Sequence, residues 1–334
     1  MSLRQIAQKL ELSITTVSRA LGGHSDVSEA TRERIMREAK RIGYIPNEMA
    51  RRLQKGRANA LGIVFPDGPE TFDDTYLLTI LEGGWDRLEE REMDLLVYPT
   101  SAGAREATSC RRLVEGRRVD GLILTSVRED DPRIEYLLST DFPFVTIGAG
   151  RFDDPRVMAV DIDTAAAMRD VLVYLKSLGH QVIACGGPMD LRFTSTRHHV
   201  FAEVARELDL TPVALVAEGT QQGGWKIIER IIEAHPDVTA LVCVMDCVTL
   251  GVLNEMQRHG MTAGLDLSIV SFGDTQLVHV ARSSVTALRL PIRDMAVSAV
   301  DLLLRRIDGL PMGPAAEHPA EFVLRETVGA PKPR

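Results

Sequence analysis

The sequence has few cysteines, few aromatic residues and no long apolar run. Its four cysteines, Cys110, Cys185, Cys243 and Cys247, lack the close pairing of zinc sites. We expect buried thiols in a reducing compartment rather than disulfides. No secretory segment precedes Ser2, and no apolar stretch reaches the roughly 18 residues of a membrane span. These absences favour a soluble, cytoplasmic protein.

Common catalytic motifs are also missing. The chain has no Gly-x-x-x-x-Gly-Lys-Ser/Thr phosphate loop, no Gly-x-Ser-x-Gly elbow and no His-Glu-x-x-His pair. His198 and His199 lie on a polar helical segment next to Arg197, and we interpret them as a solvated face. We therefore expect no enzyme, no metal and no cofactor. A hydrolase or kinase stays the alternative class, since α/β lobes with cleft carboxylates also host such enzymes.

Charge is divided unevenly along the chain. The first 57 residues carry 12 Lys and Arg against 6 Asp and Glu, whereas the other 277 carry 27 against 41. A small basic head is thus joined to a large acidic body, which the net charge of −8 conceals. Because Lys and Arg neutralise phosphates, the head points to nucleic acid.

The head has the pattern of a helix-turn-helix. Leu3, Ile6, Ala7 and Leu10 share one helical face, and a tight turn separates this helix from a second one over residues 14–21. The second helix turns apolar side chains inward and leaves hydroxyls and one arginine outside. In this motif the N-terminal residues of the second helix meet base edges in the major groove.

Two further helices are predicted in the head. Ser28 can cap a third helix, and Gly43 ends it. A short basic helix then follows from Asn47, with Leu53 as an apolar wedge for the minor groove. Since about eight residues are too few for a stable isolated helix, we expect this hinge to order on DNA. The bland alternative is a charged linker.

The order and spacing of these motifs closely resemble the DNA-binding signature of the lactose and galactose repressor family of bacterial transcription regulators. The match consists of Ile6-Ala7, Leu12-Ser-Ile-Thr-Thr-Val-Ser-Arg-Ala-Leu21, Val27-Ser28, Thr31-Arg-Glu-Arg34, Gly43-Tyr-Ile-Pro-Asn47 and Ala50-Arg-Arg-Leu53. The resemblance implies DNA contacts for eight residues. Ile14 and Thr15 would discriminate operators, Arg19 would contact bases, Thr16 and Ser18 the backbone, and Ala50 and Leu53 the minor groove, with Asn47 at the start of the hinge.

The body alternates apolar runs with amphipathic helical segments. Such runs begin near Leu61, Asp94, Gly121, Phe144, Val182, Leu241 and Ser268. Continuous apolar strands separated by helices indicate parallel sheets covered on both faces. Because 277 residues are many for one sheet, two lobes are expected.

The resemblance implies a body like a periplasmic sugar-binding protein. The expected fold is therefore an all-α helix-turn-helix head plus a two-lobed α/β effector domain with two doubly wound parallel sheets. The expected segments are residues 1–46 for the DNA-binding head, 47–57 for the hinge helix and 58–334 for the effector and dimerisation domain. Lobe 1 would comprise about 58–158 and 290–318, and lobe 2 about 159–288 and 320–330.

Ligands of open α/β sheets bind beyond the carboxyl ends of strands. This rule selects Thr125, Ser126, Gly148, Asp246 and Asp274. The family resemblance adds Arg197 and Tyr76 and supports both acids. A strand-end Asp can also be a mere helix cap, and this alternative stays open for Asp246.

The cleft also departs from the family pattern. Gly273 stands where many family members carry the first of two adjacent acids. Gly148 stands where many have an acid at the end of the fourth strand, and Gly219 stands where several have an aromatic ring.

We expect a transcriptional regulator that binds a near-palindromic operator as a homodimer under control of a small effector. Because most members of the family repress transcription, we expect a repressor. A sugar or glycoside is the first expectation for that effector. A free sugar-binding module with the head as a tether is a second alternative.

Overall fold

The computed structural model describes residues 2–22, 26–44, 57–67, 74–101, 104–150, 152–275, 284–311 and 316–332. The chain separates into two units, Met1–Asn59 and Ala60–Arg334. The predicted hinge helix falls almost entirely outside the described residues, and with it Asn47, Ala50 and Leu53. Within the described ranges, no helix has the length and apolar character needed to cross a bilayer.

The described residues of the first unit form three helices, α1 (Leu3–Leu10), α2 (Ile14–Leu21) and α3 (Glu29–Arg41). Ser13 and Ser28 cap α2 and α3, because each hydroxyl accepts a hydrogen bond from an amide three residues later. The apolar stripes of the three helices meet at Ile6, Val17 and Ile35, which are completely buried. The expected helix-turn-helix is confirmed, with α2 over the predicted residues.

The second unit alternates strands and helices. Its strands are β1 (Ala60–Asp67), β2 (Asp94–Ser101), β3 (Gly121–Leu124), β4 (Phe144–Ile147), β5 (Met158–Ile162), β6 (Val182–Gly187), β7 (Thr211–Val216), β8 (Ala240–Cys243), β9 (Ser268–Phe272), β10 (Thr286–Arg289), β11 (Ala316–His318) and β12 (Glu321–Val323). The helices in its described ranges are α4 (Asp74–Glu89), α5 (Ala104–Glu115), α6 (Pro132–Ser139), α7 (Thr164–Ser177), α8 (Arg192–Glu207), α9 (Gln221–Ala234), α10 (Asp246–Arg258) and α11 (Ile292–Ile307).

The strands form two six-stranded sheets, which confirms the two-lobed α/β body. The orders are β11-β5-β4-β3-β1-β2 and β12-β10-β9-β8-β6-β7. All pairs are parallel except β10 with β12, which is antiparallel at the sheet edge. Most of the central strands are buried along their whole length, as continuous apolar runs require.

The chain passes between the two sheets three times: after β5, after β10, and between β11 and β12. The first passage comes a few residues later than the expected lobe boundary near residue 159, because β5 pairs with β4 through Val160 and so belongs to the first sheet. The second passage follows Arg289 at the end of β10, and the third lies between His318 and Glu321. The carboxyl ends of both sets of parallel strands flank one cavity.

Candidate functional site

The exposed side of α2 carries the described part of the predicted DNA contacts. Ile14 is 46% exposed and Thr15 is exposed beside it. The Thr16 hydroxyl lies 2.8 Å from the Ser13 hydroxyl, which fixes the start of the helix. Arg19 forms an ion pair of 2.8 Å with Asp26, with both side chains about half exposed. The helix thus presents side chains suited to a groove, and its one arginine is paired with Asp26.

A cavity of about 590 Å³ lies between the two lobes of the second unit. This size is within the range of about 300–1,000 Å³ for small-molecule sites. All seven residues selected from the sequence line it: Tyr76, Thr125, Ser126, Gly148, Arg197, Asp246 and Asp274. They come from both lobes, so the strand-end rule and the resemblance selected positions that the fold brings together.

Arg197 is the buried cation of the cavity. It lies on α8, and its Nη1 donates hydrogen bonds to the carbonyls of Val244 at 2.6 Å and of Phe272 at 3.4 Å. The guanidinium carbon stands 3.9 Å from the ring centroid of Phe272 and 4.8 Å from that of Phe193. Burial lowers the pKa of Arg197 to about 10, although nearby negative charges oppose the shift. The side chain is held rigidly as a cation between two aromatic rings.

Tyr76 and Asp161 supply the facing polar groups of the first lobe. Burial raises the pKa of Tyr76 to about 12, so its hydroxyl stays protonated. Burial also raises the pKa of Asp161, while hydrogen bonds from backbone amides and the charge of Arg197 act in the opposite direction. Its Oδ2 accepts from the Gly150 amide at 2.6 Å. The cavity thus contains a hydroxyl donor and a carboxylate opposite the guanidinium.

Asp246 is not the helix cap of the alternative interpretation. Met245 occupies the N-cap position of α10, and Asp246 is its first residue. Its Oδ1 accepts from the Ser271 hydroxyl at 2.8 Å and its Oδ2 from the Thr275 amide at 3.2 Å. These bonds aim the carboxylate at the end of β9, where Gly273 follows. The carboxylate is buried, oriented and at the cavity wall.

Asp274 is a predicted effector contact, but both of its oxygens serve the protein. Arg325 donates to the two oxygens at 2.7 and 2.8 Å, and Arg289 donates to Oδ2 at 2.9 Å. These arginines follow β12 and end β10. Asp274 therefore ties two strands of the second sheet to the cavity wall, a structural use of the charge.

Thr125 and Gly148 shape the first-lobe wall. Thr125 is almost fully buried and its carbonyl accepts a hydrogen bond of 3.1 Å from Arg133 Nη2. Gly148 has φ +71, and no atom lies within 4 Å of the place where a Cβ would be. The departure from an acid at this position leaves open space at the cavity wall.

Sequence reasoning missed several lining residues, including Asp161, Phe193, Met245, Cys247 and Phe272. An acid inside the apolar run of β5 was the available signal for Asp161. Two interpretations of the sequence are wrong: His198 is buried rather than solvated, and Cys247 is only partly buried. Among the described residues no group of three or more His, Cys, Asp or Glu could hold a metal.

Comparison with known proteins agrees with this arrangement. The family model of bacterial regulatory proteins of the lacI family matches residues 2–47, and that of a periplasmic binding protein-like domain matches residues 172–328. The HTH-type transcriptional regulator AglR of Rhizobium meliloti (strain 1021) is 32% identical over 277 residues, 82% of this chain and 78% of the relative. The HTH-type transcriptional regulator RafR of Escherichia coli is 30% identical, covering 92% and 93% of the two chains.

Solved structures share the fold over nearly the whole chain. A lac repressor dimer bound to operator and the anti-inducer ONPF superposes with a TM-score of 0.84 at 21% identity, covering 99% of each chain. A complex of the regulator CelR with cellobiose gives 0.74 at 24% identity, covering 98% of this chain and 99% of the other. The relatives are regulators, so neither an enzyme nor a free binding module describes this protein. The chain belongs to the lacI family of bacterial regulatory proteins and is a DNA-binding transcriptional regulator.

Proposed function

We propose that this protein is a cytoplasmic repressor whose operator affinity is set by a sugar or glycoside bound between its two lobes. It binds a near-palindromic operator as a homodimer through the exposed side of α2. The relatives support this proposal, since one solved structure holds cellobiose and another is a dimer on operator DNA. Two-fold symmetry of the dimer matches half-sites about one DNA turn apart.

The observation that carries the proposal is the environment of Arg197. Its side chain is buried, and among the described residues it hydrogen-bonds only to carbonyl oxygens and forms no ion pair. The charges of Asp161 and Asp246 act on this guanidinium without forming an ion pair with it, so the arrangement suits a site that receives hydroxyl oxygens from a ligand. Tyr76, Asp161 and Asp246 add a donor and acceptors around the same space.

The effector can be found by differential scanning fluorimetry of the full-length protein against cellobiose, other disaccharides, monosaccharides and glycosides. A ligand at a hundredfold its Kd adds about 2.7 kcal/mol to the stability of the folded state. Titration calorimetry of each hit then compares Arg197→Ala with Arg206→Ala, an exposed arginine near the other end of α8. Loss of about tenfold or more in affinity is expected for Arg197→Ala alone, because charge-assisted hydrogen bonds are lost.

DNA recognition is tested by selecting duplexes from a random pool with the full-length protein. The expected product is a near-palindrome preferred over scrambled duplex by about 10³ to 10⁷ at physiological salt. Addition of the effector should then change the affinity for operator DNA. Because coupling is reciprocal, operator DNA should change the affinity for the effector by the same factor. Equal effector affinities with and without operator would refute the proposal.

A further inference from the structure

The first residue of α8, Arg192, joins the two lobes at the edge of the effector cavity. Its backbone amide donates to the Val127 carbonyl at 2.8 Å, and its Nε donates to the Ala149 carbonyl at 2.8 Å. Its Nη1 lies 2.8 Å from a Glu129 carboxylate oxygen, and its guanidinium carbon stands 4.2 Å from the ring centroid of Phe152. These four partners all belong to the first lobe, whereas α8 packs on the second sheet.

The backbone bond has a physical reason. A helix start leaves amides without partners, and the N-cap residue Leu191 has no side chain that could accept from them. The amide of Arg192 is satisfied by the opposite lobe instead. Opening the cleft would expose this amide and break the other three contacts at the same time.

The first-lobe loop that contacts Arg192 is held by buried polar contacts. Asp131 and Arg133 form a completely buried ion pair of 2.6 Å behind the loop that carries Val127 and Glu129. Arg133 Nη2 also donates to the carbonyls of Thr125 and Ser126, and Asp131 accepts from the Arg128 amide. The loop therefore presents a fixed surface to the arginine of the other lobe.

Three consecutive residues connect these contacts to the cavity. Gly148 lines the cavity, the Ala149 carbonyl accepts from Arg192, and the Gly150 amide donates to Asp161. On the other side, Arg192 and Arg197 lie on the same helix, five residues apart. Asp161 and Arg197 are thus each connected to a contact of Arg192, one through the Gly150 amide and the other through the helix.

We propose that Arg192 is an interlobe clasp, a positioning residue that holds the cleft closed without effector and sets how readily effector enters and leaves. Closure rests on the contacts above, and only the effect on effector entry and exit rests on the proposed function. In the effector-free protein the clasp biases the body toward the closed arrangement. The effector then acts on an equilibrium between open and closed conformations in which the closed one is already favoured.

The test is hydrogen-deuterium exchange of the full-length protein without any ligand. Arg192→Ala removes the two guanidinium bonds and the ring contact but keeps the backbone bond. We expect about tenfold faster exchange in peptides covering residues 148–150 and 191–195, because local opening governs amide exchange. Arg206→Ala, an exposed change on the same helix, should exchange like the wild type. Unchanged exchange in Arg192→Ala would overturn the proposal.

Two milder variants decide the matter if Arg192→Ala fails to fold. Glu129→Gln removes only the negative charge of an exposed side chain. Arg192→Lys keeps the positive charge but loses the planar guanidinium group. Faster exchange confined to the same peptides in both variants supports the clasp, and wild-type exchange in both overturns it. If these variants behave as expected but no carbohydrate binds and no palindrome is selected, the proposed function fails while the clasp stands.

Discussion

The carboxylate of Asp246 occupies the space that any side chain at Gly273 would need. A Cβ at residue 273 would lie 2.3 Å from Asp246 Oδ1, and φ at this glycine is +145. The glycine in place of a family acid thus follows from where Asp246 is held by Ser271 and Thr275. The cavity cannot carry both acids in this geometry.

Gly273→Ala should therefore destabilise the protein by about 1–3 kcal/mol through backbone strain and displacement of Asp246. Urea unfolding of the full-length protein measures the effect. Gly260→Ala is the matched control, since Gly260 has φ +69 but no atom lies within 4 Å of the place where its Cβ would be. The interpretation would be wrong if both variants lost the same stability.

Removing the cation from the buried ion pair should cost far more than removing it from an exposed one. Arg133 and Arg156 each pair with an Asp two residues earlier, at 2.6 Å, but Arg133 is completely buried and Arg156 is about half exposed. Burial alone would raise the pKa of Asp131, yet hydrogen bonds and the charge of Arg133 outweigh it and lower the pKa. Arg133→Ala leaves this carboxylate buried without a cation.

We expect a loss of about 3–5 kcal/mol for Arg133→Ala. For Arg156→Ala the expected loss is at most about 1 kcal/mol. Chemical denaturation of both variants provides the comparison. Similar small losses would mean that water reaches Asp131 and that the loop after β3 is not fixed by the pair.

Asp161 should make the stability of the protein depend on pH in a recognisable direction. Its pKa in the folded protein is raised above the ordinary 3.8, mainly by burial. Between the two pKa values the folded state binds more protons than the unfolded state, so this residue favours folding more as pH falls through its folded pKa. Above that pKa its ionised form costs stability.

The difference in unfolding free energy between wild type and Asp161→Asn should therefore rise in favour of the wild type as pH decreases from about 7 toward about 4. Denaturation curves for both proteins at several pH values measure this difference and cancel the other carboxylates. A difference that is constant, or that falls on acidification, would show that the Asp161 pKa is not raised by burial.

On α2, Thr15→Ala should relax base preference without weakening contacts to phosphate. The side chain is exposed at the start of the helix, next to Ile14. Base contacts of this type contribute about 1–3 kcal/mol of discrimination. Binding to a set of single-base operator variants measures it. Ser13→Ala serves as contrast, because loss of a cap costs about 1 kcal/mol of helix stability and should weaken binding to all sequences alike.

The sequence predicted elements well where burial is uniform. The bounds of β4 and β9 agree with the predicted runs because both strands are buried throughout. The sequence does not indicate the edge strand β7, since its residues alternate irregularly in exposure and include Pro212. The run of β5 is interrupted by Asp161, so its pattern does not resemble a core strand.

For the site, position could be predicted and partners could not. Strand ends converge in any open α/β sheet, so Thr125, Gly148 and Asp246 could be chosen from the sequence alone. Asp274 is predicted as an effector contact from its place after β9, whereas its partner Arg325, 51 residues away along the chain, cannot be predicted from the sequence. Tertiary packing determines which charged residues pair across such a distance. The spacing of residues in the sequence does not reveal these pairs.

The three passages between the sheets have a consequence for synthesis on the ribosome. The edge strand β11 pairs with β5 only after residue 318 has been made, and β12 completes the other sheet still later. At about 5–20 residues per second, β5 waits on the order of ten seconds for its neighbour. During that interval each half-built lobe exposes an open strand edge, so nascent chains of this protein should depend on chaperone protection until the last strands emerge.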